Sequence, residues 1–87
     1  RAVKMGAGLD WKTSLQEIAA AMESDPPEYR ISETGPDHDK RFTAVALVDG
    51  RTFDPGMGHN KKQAEQHAAE NAFRVLDAEV NGAEQPD

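Results

Sequence analysis

Apolar residues recur every three or four positions in the first third of the chain, which predicts an amphipathic helix over residues 11–22. The members of this apolar stripe are Trp11, Leu15, Ile18, Ala19 and Met22. Asp10 directly precedes them, and an aspartate there caps a helix by accepting hydrogen bonds from backbone amides of the first turn. Pro26 and Pro27 end any helix before them, because proline lacks an amide donor and restricts the residue that precedes it.

Two stretches in the middle of the chain alternate between apolar and polar residues, which is typical of β-strands. The first stretch covers residues 29–33 and predicts a short strand with one apolar face. The second covers residues 42–48 and has the clearest strand pattern in the chain. The residues that it places on one face are Phe42, Ala44, Ala46 and Val48.

A hairpin follows the second stretch. Asp49 and Gly50 form a turn signal, so residues 51–54 are predicted to return as a third antiparallel strand. Pro55 limits that strand to a few residues. Residues 56–58, with two glycines, are predicted to be a flexible connection to the next element.

A second helix is predicted after this connection. Asn60 and Gln63 resemble a capping box, in which the two side chains satisfy free amides at the helix start. The helix is expected to fray near Glu79. The residues predicted to line its apolar face are Ala64, Ala68, Ala72, Val75 and Leu76.

The order of helix, three strands and helix predicts an α+β fold, α-β-β-β-α, with both helices packed on one face of a three-stranded antiparallel sheet. We expect a linker over residues 1–8, one domain over residues 9–79, and a disordered acidic tail over residues 80–87. Because the chain begins at Arg1 rather than at a methionine, we expect it to be a fragment of a longer protein.

The formal net charge of −6 is unusual for a nucleic-acid binder, since such proteins generally carry a basic patch. Four acids lie in residues 77–87, which contain no Lys or Arg, and without those four the net charge is −2. An anion-binding site must therefore be a local cluster of bases, and Lys61 and Lys62 form one. The absence of cysteine excludes disulfides and cysteine-based zinc sites, and it fits a reducing cytoplasm, the compartment we expect.

Four segments resemble the double-stranded-RNA-binding domain in their order and spacing. They are DWKTSLQE at residues 10–17, GPDH at 35–38, the strand that begins at Phe42, and GMGHNKKQAE at 56–65. DWKTSLQE, together with AEQHAAENA at residues 64–72, resembles the C-terminal RNA-binding domain of bacterial ribonuclease III in particular. The resemblance implies binding of duplex RNA by shape, through 2′-hydroxyls in two successive minor grooves and through the phosphates between them.

The resemblance assigns the first RNA contact to Thr13, Gln16 and Glu17, which share a helix face opposite the apolar stripe. A glutamine both donates and accepts hydrogen bonds, whereas a carboxylate only accepts, which suits a hydroxyl or a guanine amino group. On pattern alone, the same residues form an ordinary solvated helix face.

The second implied contact is the loop after the first strand, with Gly35, Pro36 and His38. The exposed carbonyls of this loop and the histidine ring offer hydrogen bonds to the next minor groove without desolvating a permanent charge. The alternative is a plain turn with a solvent-exposed histidine.

The third implied contact is the start of the second helix, with Asn60, Lys61 and Lys62. Helix N-termini attract anions and disfavour cations, so the two lysines suggest that phosphates compensate them; the alternative is a solvated basic pair. Glu65 stands where the commoner family pattern has a third lysine, and this departure removes a phosphate contact.

No catalytic site is predicted in this chain. His38, His59 and His67 match no zinc-binding helix spacing, so we expect no metal site and no cofactor. The resemblance implies that cleavage, and the magnesium it requires, belong to a nuclease domain missing from the chain. We expect a monomeric fragment of a homodimeric parent, with double-stranded RNA as its partner and no binding to membranes or DNA.

A second interpretation is a protein-interaction module of the same fold that dimerises and binds RNA weakly or not at all. The net charge of −6 favours it. Val45 and Leu47 also favour it, because they fall on the open face of the predicted sheet.

Overall fold

The computed structural model describes residues 10–81, so the predicted linker over residues 1–8 lies outside them. The elements in chain order are α1 (Trp11–Ala21), β1 (Glu28–Thr34), a 3₁₀ turn (Asp37–Asp39), β2 (Arg41–Val48), β3 (Arg51–Thr52), β4 (Gly56–Gly58) and α2 (Lys61–Asn81). This order confirms the predicted α+β fold. Helix α2 ends at Asn81 rather than near Glu79, and the part of the predicted acidic tail beyond residue 81 is outside the described residues. Neither described helix is long and apolar enough to cross a membrane.

Strand β2 is the centre of an antiparallel sheet, with β1 on one side and both β3 and β4 on the other. The predicted third strand is therefore present, but it is interrupted at residues 53–55 and resumes after Pro55. The prediction of a flexible connection over residues 56–58 is wrong, since Gly56 pairs with Ala44. The Phe53 amide still donates to the Ala46 carbonyl oxygen at 3.2 Å, and its side chain is buried on the core face with only 9% exposure. The interruption follows it: Ala44 pairs with Gly56 rather than with residue 55, so one extra residue bulges out of the ladder, and Pro55 has no amide to donate.

The core lies between one face of the sheet and the two helices. Alternate residues of β2 point into it because successive strand residues face opposite sides, and α1 contributes the centre of its predicted stripe. The buried residues of these elements are Leu15, Ile18, Ala19, Ala44, Ala46 and Val48, joined by Phe53 and by one face of α2. Trp11 and Met22, the ends of the predicted α1 stripe, are partly buried against this cluster.

Helix α2 lies very close to β4. A Cβ atom at Gly56 would stand 2.2 Å from the Ala68 amide nitrogen and 2.7 Å from the Ala64 carbonyl oxygen, so no side chain fits at this position. The Asn71 side-chain amide also donates to the Pro55 carbonyl oxygen at 3.1 Å. This close approach explains why α2 presents alanines to the sheet.

The predicted apolar face of α2 is correct at four positions and wrong at one. Ala64, Ala68, Ala72 and Leu76 are fully buried, whereas Val75 is 40% exposed. Ala69 is buried in its place. A row of residues spaced four apart winds gradually around a helix, because one turn takes only 3.6 residues. The buried row of α2 therefore turns away from Val75 along the helix and toward the side that meets α1.

Leu76 and Val75 offer a matched test of this face. Leu76→Ala should lower the free energy of unfolding by about 2 to 5 kcal/mol, because it leaves a cavity in the core. Val75→Ala should change it by less than about 0.5 kcal/mol, as for other partly exposed positions. Urea unfolding followed by circular dichroism measures both values, and equal losses would show that the buried face is misplaced.

Candidate nucleic-acid interface

The outer face of α1 carries the first predicted contact. Thr13, Gln16 and Glu17 are all exposed. They line a shallow depression together with Ser24 and Pro26, which follow the end of the helix. Sequence reasoning missed these last two residues, because no periodicity connects a post-helical turn to a helix face.

Asp10 caps α1 as predicted, and it also fixes the hydroxyl of Thr13. Its carboxylate accepts from the backbone amides of Lys12 at 3.2 Å and Thr13 at 3.3 Å. The Thr13 hydroxyl donates to the other carboxylate oxygen at 2.8 Å. A threonine hydroxyl has one proton, so the oxygen that Thr13 presents to solvent can only accept a further hydrogen bond.

Gln66 of α2 completes this cap from across the domain. Its side-chain oxygen accepts from the Trp11 amide at 2.7 Å, and its side-chain nitrogen donates to Asp10 at 2.9 Å. The Gln66 and Thr13 hydrogen bonds are the main reasons why the pKa of Asp10 falls from 3.8 to about 2. The first turn of α1 is thus held by a side chain 55 residues away.

Glu65 forms a second connection between the helices. Its carboxylate accepts from the Lys12 ammonium group at 2.5 Å, in a partly buried ion pair. The Lys12 ammonium group also lies 5.3 Å from the centre of the Tyr29 ring. Burial, together with the negative charges of Glu65 and Asp10, raises the pKa of Tyr29 to about 12. Glu65, which replaces the third lysine of the commoner family pattern, therefore has a structural partner on α1.

The loop between β1 and β2 carries the second predicted contact. Gly35 has φ of +96°, a conformation that favours glycine, and a Cβ atom there would stand 2.6 Å from the Asp39 carbonyl oxygen. The Asp39 amide donates to the Pro36 carbonyl at 2.9 Å and closes the turn. His38 is exposed between two acidic residues, Asp37 and Asp39. The loop is thus a defined turn with mixed charge.

The start of α2 carries the third predicted contact, and its cap is close to the predicted capping box. The Asn60 side chain accepts from the Gln63 amide at 2.8 Å, while the Gln63 side chain accepts from the His59 amide at 2.9 Å. Lys61 and Lys62 follow in the first turn, and both are exposed. The sheet register brings this end of the domain near the β1–β2 loop, because Phe42 at the start of β2 pairs with Gly58.

Most cations within residues 10–81 already have acidic partners. Five of the eight Lys and Arg side chains there form ion pairs, and the remaining three are Arg30, Lys61 and Lys62. Arg30 lies on the sheet opposite Val45, apart from the helix start. Lys61 and Lys62 are therefore the two adjacent cations that this stretch leaves available to an anion. No group of three acidic or histidine side chains suited to a metal ion occurs within residues 10–81.

The family described as the double-stranded RNA binding motif matches residues 11–76 of this chain. The matched stretch includes all three candidate contacts and nearly all of the described elements. The chain therefore belongs to the double-stranded RNA binding motif family.

Curated relatives and solved structures agree with this assignment. Ribonuclease 3 of Nocardia farcinica is 56% identical over 79 residues, which are 91% of this chain and 33% of that protein. Ribonuclease 3 of Thermobifida fusca is 52% identical over 85 residues, which are 98% of this chain and 35% of that protein. The chain thus spans about a third of the length of these relatives, and the predicted resemblance to bacterial ribonuclease III is confirmed.

The structure of Arabidopsis HYL1 resembles this chain with a TM-score of 0.69 at 39% identity, and the match covers 77% of this chain and 96% of that one. The second double-stranded-RNA-binding domain of DRB4 gives a TM-score of 0.63 at 36% identity, over 79% of this chain and 97% of that one. Both likenesses confirm the fold.

The depressed pKa of Asp10 predicts a specific loss of stability in acid. Because the carboxylate is favoured in the folded chain, its stabilisation is complete above about pH 4 and is lost as the pH falls toward 2. Asp10→Asn removes this titration and keeps a residue type that caps helices well. We expect wild type to be the more stable protein at neutral pH, with an advantage that shrinks between about pH 4 and pH 2. Urea midpoints across this range measure it, and a constant difference would contradict the prediction.

Proposed function

We propose that this chain is the duplex-RNA-binding module of a bacterial ribonuclease III. The family match over residues 11–76 carries the proposal, and the exposed Lys61 and Lys62 pair supports it. A-form RNA hides its bases in a deep, narrow major groove and displays 2′-hydroxyls in a wide minor groove. A protein that reads this duplex needs separated polar contacts, which the two helices and the β1–β2 loop supply.

Each candidate contact has a chemical role in this proposal. Thr13, Gln16 and Glu17 accept or donate hydrogen bonds in one minor groove, with Ser24 at the border of the same depression. Gly35, Pro36 and His38 offer carbonyls and an imidazole to the next minor groove. The third contact, at the start of α2, meets the phosphates that cross the intervening major groove through Asn60, Lys61 and Lys62.

Catalysis is not part of the proposed role of this chain. Cleavage of duplex RNA, with magnesium as cofactor, is proposed for the part of a ribonuclease III that lies outside the matched third. The same proposal places the parent protein in the cytoplasm as a homodimer that processes RNA, including ribosomal RNA.

The alternative of a protein-interaction module is not favoured. Val45 and Leu47 do lie on the open sheet face, but both are half-buried rather than exposed. Their cross-strand neighbours are polar, since Val45 lies opposite Arg30 and Leu47 opposite Thr52. Scattered apolar area of this kind is common on protein surfaces.

The first test compares RNA with DNA. Wild type should bind a blunt RNA duplex of about 16 base pairs much more tightly than a DNA duplex of the same sequence, with little dependence on sequence. Fluorescence anisotropy at two salt concentrations measures both affinities. Equal binding of the two duplexes would indicate charge attraction alone and would count against recognition of the 2′-hydroxyl.

The second test concerns the phosphate contacts. Replacing both Lys61 and Lys62 with alanine should lower the magnitude of the slope of log affinity against log salt by roughly 1 to 2 units, since each lysine displaces about one counterion. Folding should persist, because removing cations from a helix N-terminus is neutral or stabilising.

A double variant, Arg51→Ala with Arg74→Ala, provides the matched control. It removes the same positive charge from side chains that are paired with Glu79 and Glu70. Its salt slope should equal that of wild type. If the plots of log affinity against log salt for the lysine variant and wild type have the same slope, this pair does not contact the phosphate backbone of the RNA.

A further inference from the structure

A chain of three side chains joins α2 to the outer face of α1. The Gln66 nitrogen donates to one oxygen of the Asp10 carboxylate, and the Thr13 hydroxyl donates to the other. Gln66 lies one helical turn after Lys62, so the same region of α2 holds the cap of α1 and the basic pair. The hydrogen-bond chain therefore connects the candidate contact on α1 to the helix whose start carries the basic pair.

The direction of these hydrogen bonds determines what Thr13 can recognise. Asp10 is ionised at neutral pH and can only accept, so the single proton of the Thr13 hydroxyl is used within the protein. The remaining lone pairs of that oxygen need a donor. A ribose 2′-hydroxyl is a donor that RNA has at every minor-groove position and DNA lacks.

We propose that Asp10 and Gln66 are positioning residues that hold the Thr13 hydroxyl as an acceptor for a ribose 2′-hydroxyl, and that they thereby contribute to selection of RNA over DNA. This inference rests on the proposed RNA-binding function and adds residues that do not themselves meet the nucleic acid. Gln66 holds the carboxylate against the helix start, and Asp10 sets the orientation of the hydroxyl.

Asp10→Asn tests the orientation. The asparagine amide can donate to the Thr13 oxygen where the carboxylate could only accept, so the hydroxyl proton turns outward while the helix keeps a good cap. Electrostatics alone predicts the opposite result, since loss of a negative charge beside a polyanion strengthens binding. We expect RNA affinity to fall roughly 3- to 10-fold, the range of one hydrogen bond of ordinary strength, with an unchanged salt slope.

Gln66→Met tests the second link, because methionine has similar length without the amide. It should lower RNA affinity and the preference for RNA over DNA in the same direction as Asp10→Asn. In a double-variant cycle with Thr13→Val, neither change should cause a further loss, because both act through the same hydroxyl.

Arg51→Met is the matched control for the loss of a tertiary contact. Arg51 donates two hydrogen bonds of 2.8 Å to Glu79, which lies about 20 Å along α2 from Gln66. Its removal should leave RNA affinity and the RNA-to-DNA ratio as in wild type, provided that circular dichroism shows all variants folded at the assay temperature.

The outcomes separate the two levels of inference. Wild type that fails to bind duplex RNA would overturn the proposed function, and this inference with it. Wild type that binds RNA, with folded Asp10→Asn and Gln66→Met variants of equal affinity and preference, would overturn this inference alone. Additive losses in the cycle with Thr13→Val would also overturn it. If Gln66→Met does not fold, Asp10→Asn and its cycle with Thr13→Val decide the question.

Discussion

The domain depends on the contact between the alanine face of α2 and the sheet. With methyl groups at Ala64, Ala68 and Ala72, and no side chain at Gly56, the helix approaches the strands as closely as backbone atoms allow. Such tight packing leaves little freedom for α2 to shift, because any larger side chain would have to displace the backbone. The position of α2 in turn fixes the lysine pair at its start and the glutamine that caps α1.

Charge is distributed so that an acidic chain keeps a small basic site. Most cations in residues 10–81 are paired locally, as in the Arg51 and Glu79 pair, which lowers the pKa of Glu79. Glu65 is a further example of local pairing, because its carboxylate neutralises Lys12 on α1. A lysine at this position, as in the commoner family pattern, would instead add to the basic cluster. The field at the start of α2 is therefore short-ranged, and at physiological salt it acts over about 8 Å.

Much of the fold could be predicted because local signals agree with the final structure. The Asp10 cap, the α1 stripe and the alternation of β2 depend on neighbours in sequence. The break in the third strand could be predicted only in part. Pro55 marks the limit of β3, but the pairing of residues 56–58 with β2 involves two glycines that carry no strand pattern and lie closely against α2. The sequence pattern includes Val75 in the apolar face of α2 and omits Ala69 for a related reason. An alanine-rich helix has a weak apolar pattern, and its orientation is set by tertiary contacts.

The candidate contacts follow the same division. The lysine pair and the α1 face could be read from residue type and spacing, together with resemblance. The role of Gln66 could not, since its partners, Asp10 and Trp11, lie more than 50 residues earlier and only the fold brings them together. The position of Ser24 beside the α1 face could not be predicted either, because it depends on how the chain turns after the end of the helix.

The interruption at residues 53–55 also affects what the sheet can do at its borders. A long strand with an unpaired edge is a template for strands from other molecules, and this is a common route to aggregation. Here one border consists of two short pieces, β3 and β4, separated by a proline, so no partner strand finds a continuous row of amides and carbonyls. On the other border, β1 carries Glu28, Arg30 and Glu33, whose charges would have to be desolvated in any such contact. The same break between β3 and β4 thus leaves this border without a long continuous edge for a foreign strand.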